Sequence, residues 1–134
     1  MTSSFTRDAS QPCKDWPWEL TMDPILGASK NPVWLTIQNS LKALDQKWDS
    51  FVILEQKDPE DPRRYWYIQS AVALQGVHEG RYALEIGYKG EDGLGHMLDR
   101  SFTQLEDLYP WYEAAFTAQR LDLSGFQDMS DIEQ

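Results

Sequence analysis

Few side chains in this chain of 134 residues are arranged for chemistry. Glu55, Glu85 and Asp99 each fall in or next to a segment that reads as a β-strand. Two such carboxylates facing one another in a buried site could exchange a proton as general acid and base. Arg64, Arg81 and Arg100 lie close enough in sequence to make cross-strand ion pairs the preferred reading of the same acids. Cys13 is the single cysteine and has no neighbouring base, and His78 and His96 are remote from it. A nucleophile with a local activating group is therefore missing from the pattern. The two histidines and one cysteine have no zinc-ligand spacing. The acids Asp58, Glu60 and Asp61 lack the glycine and terminal glutamate of a calcium loop. Gly87, Gly90, Gly93 and Gly95 lie between strands, where glycine serves hairpin geometry, and not ahead of a helix that could cradle a phosphate. No catalytic residue, metal site or cofactor is expected.

Composition points elsewhere. Asp and Glu number 22 against 12 Lys and Arg, a formal charge of -10, and the chain carries 6 Trp, 6 Tyr and 5 Phe. Such a charge repels nucleic acid and anionic membrane and attracts basic proteins. Exposed aromatic side chains are favoured anchors in protein interfaces. The last 34 residues hold 7 acids and one base, Arg120. Without a second cysteine no intrachain disulfide can form, which suits a reducing cytoplasm. Neither a long apolar run nor a secretory leader is visible, so a cytoplasmic location is expected.

The elements that position these residues follow from periodicity. Residues 1–30, interrupted by Pro12, Pro17 and Pro24, read as an irregular segment packing on the body, with Trp16 and Trp18 more suited to packing than to an exposed anchor. Asn31-Pro32 reads as a helix start, with Asn31 as N-cap. Val33, Trp34, Ile37, Leu41, Leu44 and Trp48 then form one apolar stripe to about Lys47. Ser50–Gln56 reads as a strand covered on both faces, and 57–63 as a loop because of its two prolines. Arg64–Leu74 reads as a second strand, with Trp66, Ile68, Val72 and Leu74 inward and Tyr65 and Tyr67 on a semi-polar face. Arg81–Tyr88 has the cleanest period-two pattern, and His96–Arg100 reads as a shorter strand. Thr103-Gln104-Leu105-Glu106 matches a capping box, and Pro110 should break the helix that follows and open a second stretch to about Arg120. Residues 121–134 form an acidic tail that either docks elsewhere or folds back on the core. The expected fold is α+β: an antiparallel sheet of three to five strands covered by two or three helices, a two-layer sandwich built from residues 31–120.

Phe51-Val52-Ile53-Leu54-Glu55, Tyr67-Ile68-Gln69, Gly80-Arg81-Tyr82-Ala83-Leu84-Glu85 and the glycine loop into His96-Met97 together resemble small bacterial immunity proteins of polymorphic toxin systems. The resemblance spans roughly residues 33–116. The same strands are also similar to YbjN-like and type III secretion chaperone-like domains. The first resemblance implies a non-enzymatic protein that neutralises a cognate toxin by occluding its active site, monomeric when free. The second implies a secretion chaperone or peptide-binding adaptor, often dimeric. Charge and expected exposure nominate Glu55, Asp58, Glu60, Asp61, Tyr65, Tyr67, Glu91, Asp92, Asp128 and Asp131 as partner contacts. The partner would be a protein with a basic surface, with neither nucleic acid nor membrane involved.

Overall fold

The computed structural model describes residues 8–23, 27–45, 50–72, 80–89 and 93–129. Seven antiparallel strands form one sheet: β1 (Trp18–Asp23), β2 (Gly27–Lys30), β3 (Phe51–Asp58), β4 (Asp61–Val72), β5 (Tyr82–Lys89), β6 (Gly95–Phe102) and β7 (Gln127–Asp128), in the order β2-β1-β3-β4-β5-β6-β7. Two helices, α1 (Trp34–Lys42) and α2 (Tyr109–Phe116), complete an α+β fold. The sheet is wider than the three to five strands expected, because both flanking segments contribute strands. The N-terminal region is not irregular throughout: Trp18, Leu20 and Met22 alternate with Glu19, Thr21 and Asp23, and β1 pairs with both β2 and β3. At the other edge, part of the acidic tail folds back as β7 against β6.

Alternation sets the two faces of the sheet. Leu20, Met22, Val52, Leu54, Trp66, Ile68, Leu84 and Ile86 share one face and are almost wholly buried against Ile37, Leu41, Leu44, Leu108 and Tyr112. β3 is therefore covered on one side and not two, since Phe51, Ile53 and Glu55 on its other side remain half-exposed. The 57–63 loop is in fact a two-residue turn, with Asp58 paired to Asp61 and a register shift after Lys57. Pro62 is tolerated inside β4 because it sits in that irregularity, where the ladder is already interrupted.

The helices begin later than the sequence pattern implied. Asn31 is not the cap of α1. It adopts φ 51, a left-handed conformation asparagine tolerates, and its N–H donates to the Trp18 carbonyl at the end of the β1–β2 hairpin. The cap position falls to Val33, which is exposed and off the apolar stripe. The capping box does not form: a 3₁₀ turn covers Leu105–Leu108 and no side chain caps it. α2 opens at Tyr109-Pro110, as the proline requires, but ends at Phe116. Tyr112 is fully buried, and its hydroxyl donates to Ser70 Oγ at 2.9 Å, fixing α2 to β4. Burial pushes its phenol well above the ordinary tyrosine range.

Two short helices cannot cover seven strands, and the remaining area is closed by residues 8–17 and the segment after α2. The buried Gln56 amide accepts from the Cys13 N–H at 2.9 Å and donates to the carbonyls of Cys13 and Trp16. Trp66 Nε1 donates to the Ser10 carbonyl, and Gln11 exchanges two hydrogen bonds with the Leu121 backbone. Asp8 pairs with Arg120 at 3.2 Å, and hydrogen bonds from Ser10 and then Arg120 hold its carboxyl below the usual aspartate range. Arg100 finishes the seam by lying over Phe102, Trp111 and Phe126.

Gln56 joins the strap to the sheet, so truncation strands three backbone groups at once. Gln56→Ala is expected to cost about 2–4 kcal/mol in urea unfolding and to open residues 8–17 to limited proteolysis. A loss below about 0.5 kcal/mol with unchanged proteolysis would contradict this role.

Candidate functional site

Among the described residues nothing packs on the second face of the sheet, and its side chains are the ones that register brings together. One row across the strands reads Lys30, Glu19, Glu55, Tyr67, Gly87, Met97. The next reads Ala28, Thr21, Ile53, Gln69, Glu85, Asp99, Gln127. A third, nearer the β3–β4 turn, reads Lys57, Tyr65, Lys89, Gly95.

The two tyrosines pave this face. They stand two residues apart on β4, so both project the same way, with ring centroids 6.1 Å apart and planes 23° from parallel. Each leans across β5 toward a glycine. A Cβ at Gly87 would lie 2.2 Å from the Tyr67 ring, so only glycine leaves the ring its place. A Cβ at Gly95 would touch the Tyr65 hydroxyl at 3.4 Å. Tyr67 reaches past Gly87 and donates its hydroxyl proton to Glu85 Oε2 at 2.5 Å. An aromatic ring over a strand glycine stabilises the backbone that lacks its own side chain.

The carboxylates of this face form two directly opposed pairs, Glu19 with Glu55 and Glu85 with Asp99. Like charges directly opposite on a sheet oppose folding. The expected arginine partners do not relieve them. Arg64 lies 3.7 Å from Asp58, Arg81 keeps a buried Nε that bonds to none of them, and Arg100 belongs to the helix-covered face. Glu85 is held by Tyr67 instead. Lysines border the first pair: Glu19, Glu55, Lys30 and Lys57 line an open cleft of about 350 Å³ with Pro17, Trp18 and Asn31. Glu55 and Glu85 are half-exposed and separated by β4, with Cα atoms about 12 Å apart by strand spacing, too distant to share a proton. Among the described residues no group of three or more His, Cys, Asp or Glu is gathered for a metal.

Of the nominated contacts, Glu55, Tyr65 and Tyr67 are brought together here. Asp58, Glu60 and Asp61 build the adjoining turn. The Glu60 N–H donates to Asp58 Oδ1 at 2.8 Å, and Asp61 is paired with Arg63 at 2.9 Å, whose hydrogen bond holds the Asp61 carboxyl below its usual range. The charges of Asp58 and Asp61 are thus engaged locally in shaping a hairpin, while Glu60 contributes its backbone N–H. Asp128 sits opposite Leu98, in a row of the helix-covered face, and is not part of this surface. Glu91, Asp92 and Asp131 lie outside the described residues. The general expectation of exposed aromatic anchors needs correction, since every described Trp, Tyr and Phe is buried or half-buried; Trp16 and Trp66 are core residues, as their pattern implied. Sequence reasoning left out Glu19 and Lys30, weighed Asp99 only for ion pairs or acid–base work, and assigned Gly87 to a hairpin when it lies inside β5. Gly87 carried a signal, since it interrupts the most regular alternating strand and so announces a neighbour that needs its space.

No family model, curated protein or solved structure matches the chain. No described helix is long and apolar enough to cross a membrane.

The contact between Tyr67 and Gly87 is open to direct test. Gly87→Ala is expected to swing Tyr67 off β5 at a cost of about 1 kcal/mol or less, because the ring faces solvent and can move. The amide resonances of Glu85 and Tyr67 should shift, while those of Leu54 and Leu84 should not. Unchanged Tyr67 and Glu85 resonances in the variant would show that the ring does not occupy this place.

Proposed function

We propose that this chain is an immunity protein: an inhibitor, not an enzyme, that clasps a cognate toxin domain and occludes its active site with the bare face of its sheet. The observation carrying this reading is that face itself, a semi-polar surface bearing two glycine-seated tyrosines and four carboxylates with no helix over them. Tyrosine presents a rigid apolar body with a polar tip, which suits the centre of an interface. A net charge of -10 would steer a basic partner toward it and make association fast and salt-sensitive. The half-exposed placement of the carboxylates and the wide separation of Glu55 from Glu85 favour recognition over proton transfer. The weak similarity of the strand motifs to immunity proteins agrees with this reading. On it, the protein works in the cytoplasm as a monomer until the toxin arrives. The secretion-chaperone alternative gains little from the sheet edges, because the outermost strands are four and two residues long, poor templates for an added peptide strand.

Co-expression tests the proposal. Wild-type chain should restore growth of cells producing the toxin domain it captures from a native lysate. Tyr67→Arg with Glu55→Lys should abolish protection while the purified variant keeps its circular dichroism spectrum. Capture of a partner that is not toxic, or protection undiminished in that variant, would refute it.

A further inference from the structure

The register of the bare face specifies more than a general attraction to basic proteins. We infer that the partner surface seated there carries two cationic side chains about 16 Å apart, one received between Glu85 and Asp99 and one between Glu19 and Glu55, a distance that follows from three strand spacings across the sheet and two residues along it. This rests on the reading of the bare face as the binding surface and deepens it.

The two carboxylate pairs are not equivalent. The row containing Glu85 and Asp99 is otherwise made of Ala28, Thr21, Ile53, Gln69 and Gln127, with no basic side chain in it. The repulsion of this pair is left unrelieved within its row, and a cation from outside removes it. Tyr67 fixes one oxygen of Glu85 and leaves the other, with both oxygens of Asp99, for donors from outside the chain. Two carboxylates side by side suit the fork of a guanidinium better than a single ammonium. The Glu19–Glu55 pair faces Lys30 across the sheet and has Lys57 nearby, so its net attraction is weaker. The first pair therefore dominates affinity, and the second sets the direction in which the partner lies across the strands. Between them Tyr67 and Gln69 supply the uncharged ground of the interface. A span of about 16 Å equals about three turns of α-helix, so an arginine-bearing helix laid obliquely over the sheet fits the pattern.

Alanine-rich helical peptides labelled with fluorescein serve as probes. One carries arginines about three turns apart on one side; a control of the same composition carries them about one and a half turns apart, on opposite sides. Fluorescence anisotropy with the full chain at low salt should show the first peptide binding about threefold more tightly, the gain expected of one further solvent-exposed ion pair. Glu85→Gln with Asp99→Asn should remove that preference, whereas Glu19→Gln with Glu55→Gln should reduce it only in part. These amide exchanges keep volume, and circular dichroism verifies folding. Equal binding of the two peptides, or a preference that survives Glu85→Gln with Asp99→Asn, overturns the inference. Should that occur while Tyr67→Arg with Glu55→Lys still abolishes protection from the toxin, the proposed function stands and only the two-cation pattern falls.

Discussion

The architecture depends on one geometrical constraint: a seven-stranded sheet presents more apolar area than helices of nine and eight residues can cover. A sheet face rich in Leu, Ile, Val and Trp must be removed from water, at about 25 cal/mol for each Å² of apolar surface. The chain meets this by drawing residues 8–17 and 119–126 over the same side as the helices. Polar side chains pin those segments, Gln56 and Gln11 above all, because irregular backbone crossing a core needs partners for its N–H and C=O groups. Among the described residues, both helices and these segments cover one side. Among the described residues the other side is left open, and its composition agrees with that state. Apart from Phe51, Ile53 and Met97, the rows hold mainly Glu, Asp, Lys, Gln, Thr, Ala, Gly and Tyr, where the covered side is dominated by Leu, Ile, Val and Trp.

Much of this was legible beforehand. The parity of Arg64–Leu74 separated Trp66 and Ile68 from Tyr65 and Tyr67, and the structure keeps that separation, because side-chain direction along a strand is set by the backbone alone. Arg81–Tyr88 was equally clear, and Pro110 opened its helix as its fixed φ demands. What failed were segments where proline outweighed periodicity in the reading. Trp18–Asp23 alternates as a strand should, but the prolines nearby suggested an irregular segment, whereas Pro17 only precedes the strand. Pro62 suggested a loop when a register shift absorbs it. Asn31-Pro32 and Thr103–Glu106 had the spelling of helix starts without the backbone geometry, since a cap works only when its φ and ψ let the side chain turn back on the first free N–H groups.

The candidate site was half visible for a related reason. Residue type nominated Glu55, Tyr65 and Tyr67, whose parity on adjacent strands follows from sequence. Glu19 and Asp99 join them only through the register of β1 against β3 and of β5 against β6, which no local pattern encodes. Asp58 and Asp61 looked like free charge but are consumed in building a tight turn. Trp16 and Trp66 fill the core, as their pattern implied, where a wide sheet under thin helices needs large side chains. Opposed carboxylates are a local inconsistency in an otherwise well-matched fold, and such inconsistencies are expected where function outweighs stability.

The most direct test of the central claim is carboxyl footprinting of the chain, free and bound to the protein partner it captures, read by mass spectrometry. If the bare face is the binding surface, Glu19, Glu55, Glu85 and Asp99 lose reactivity in the complex, while Glu106, Glu113 and Asp122 on the helix-covered side do not. Protection of the second group with continued labelling of the first would contradict the account.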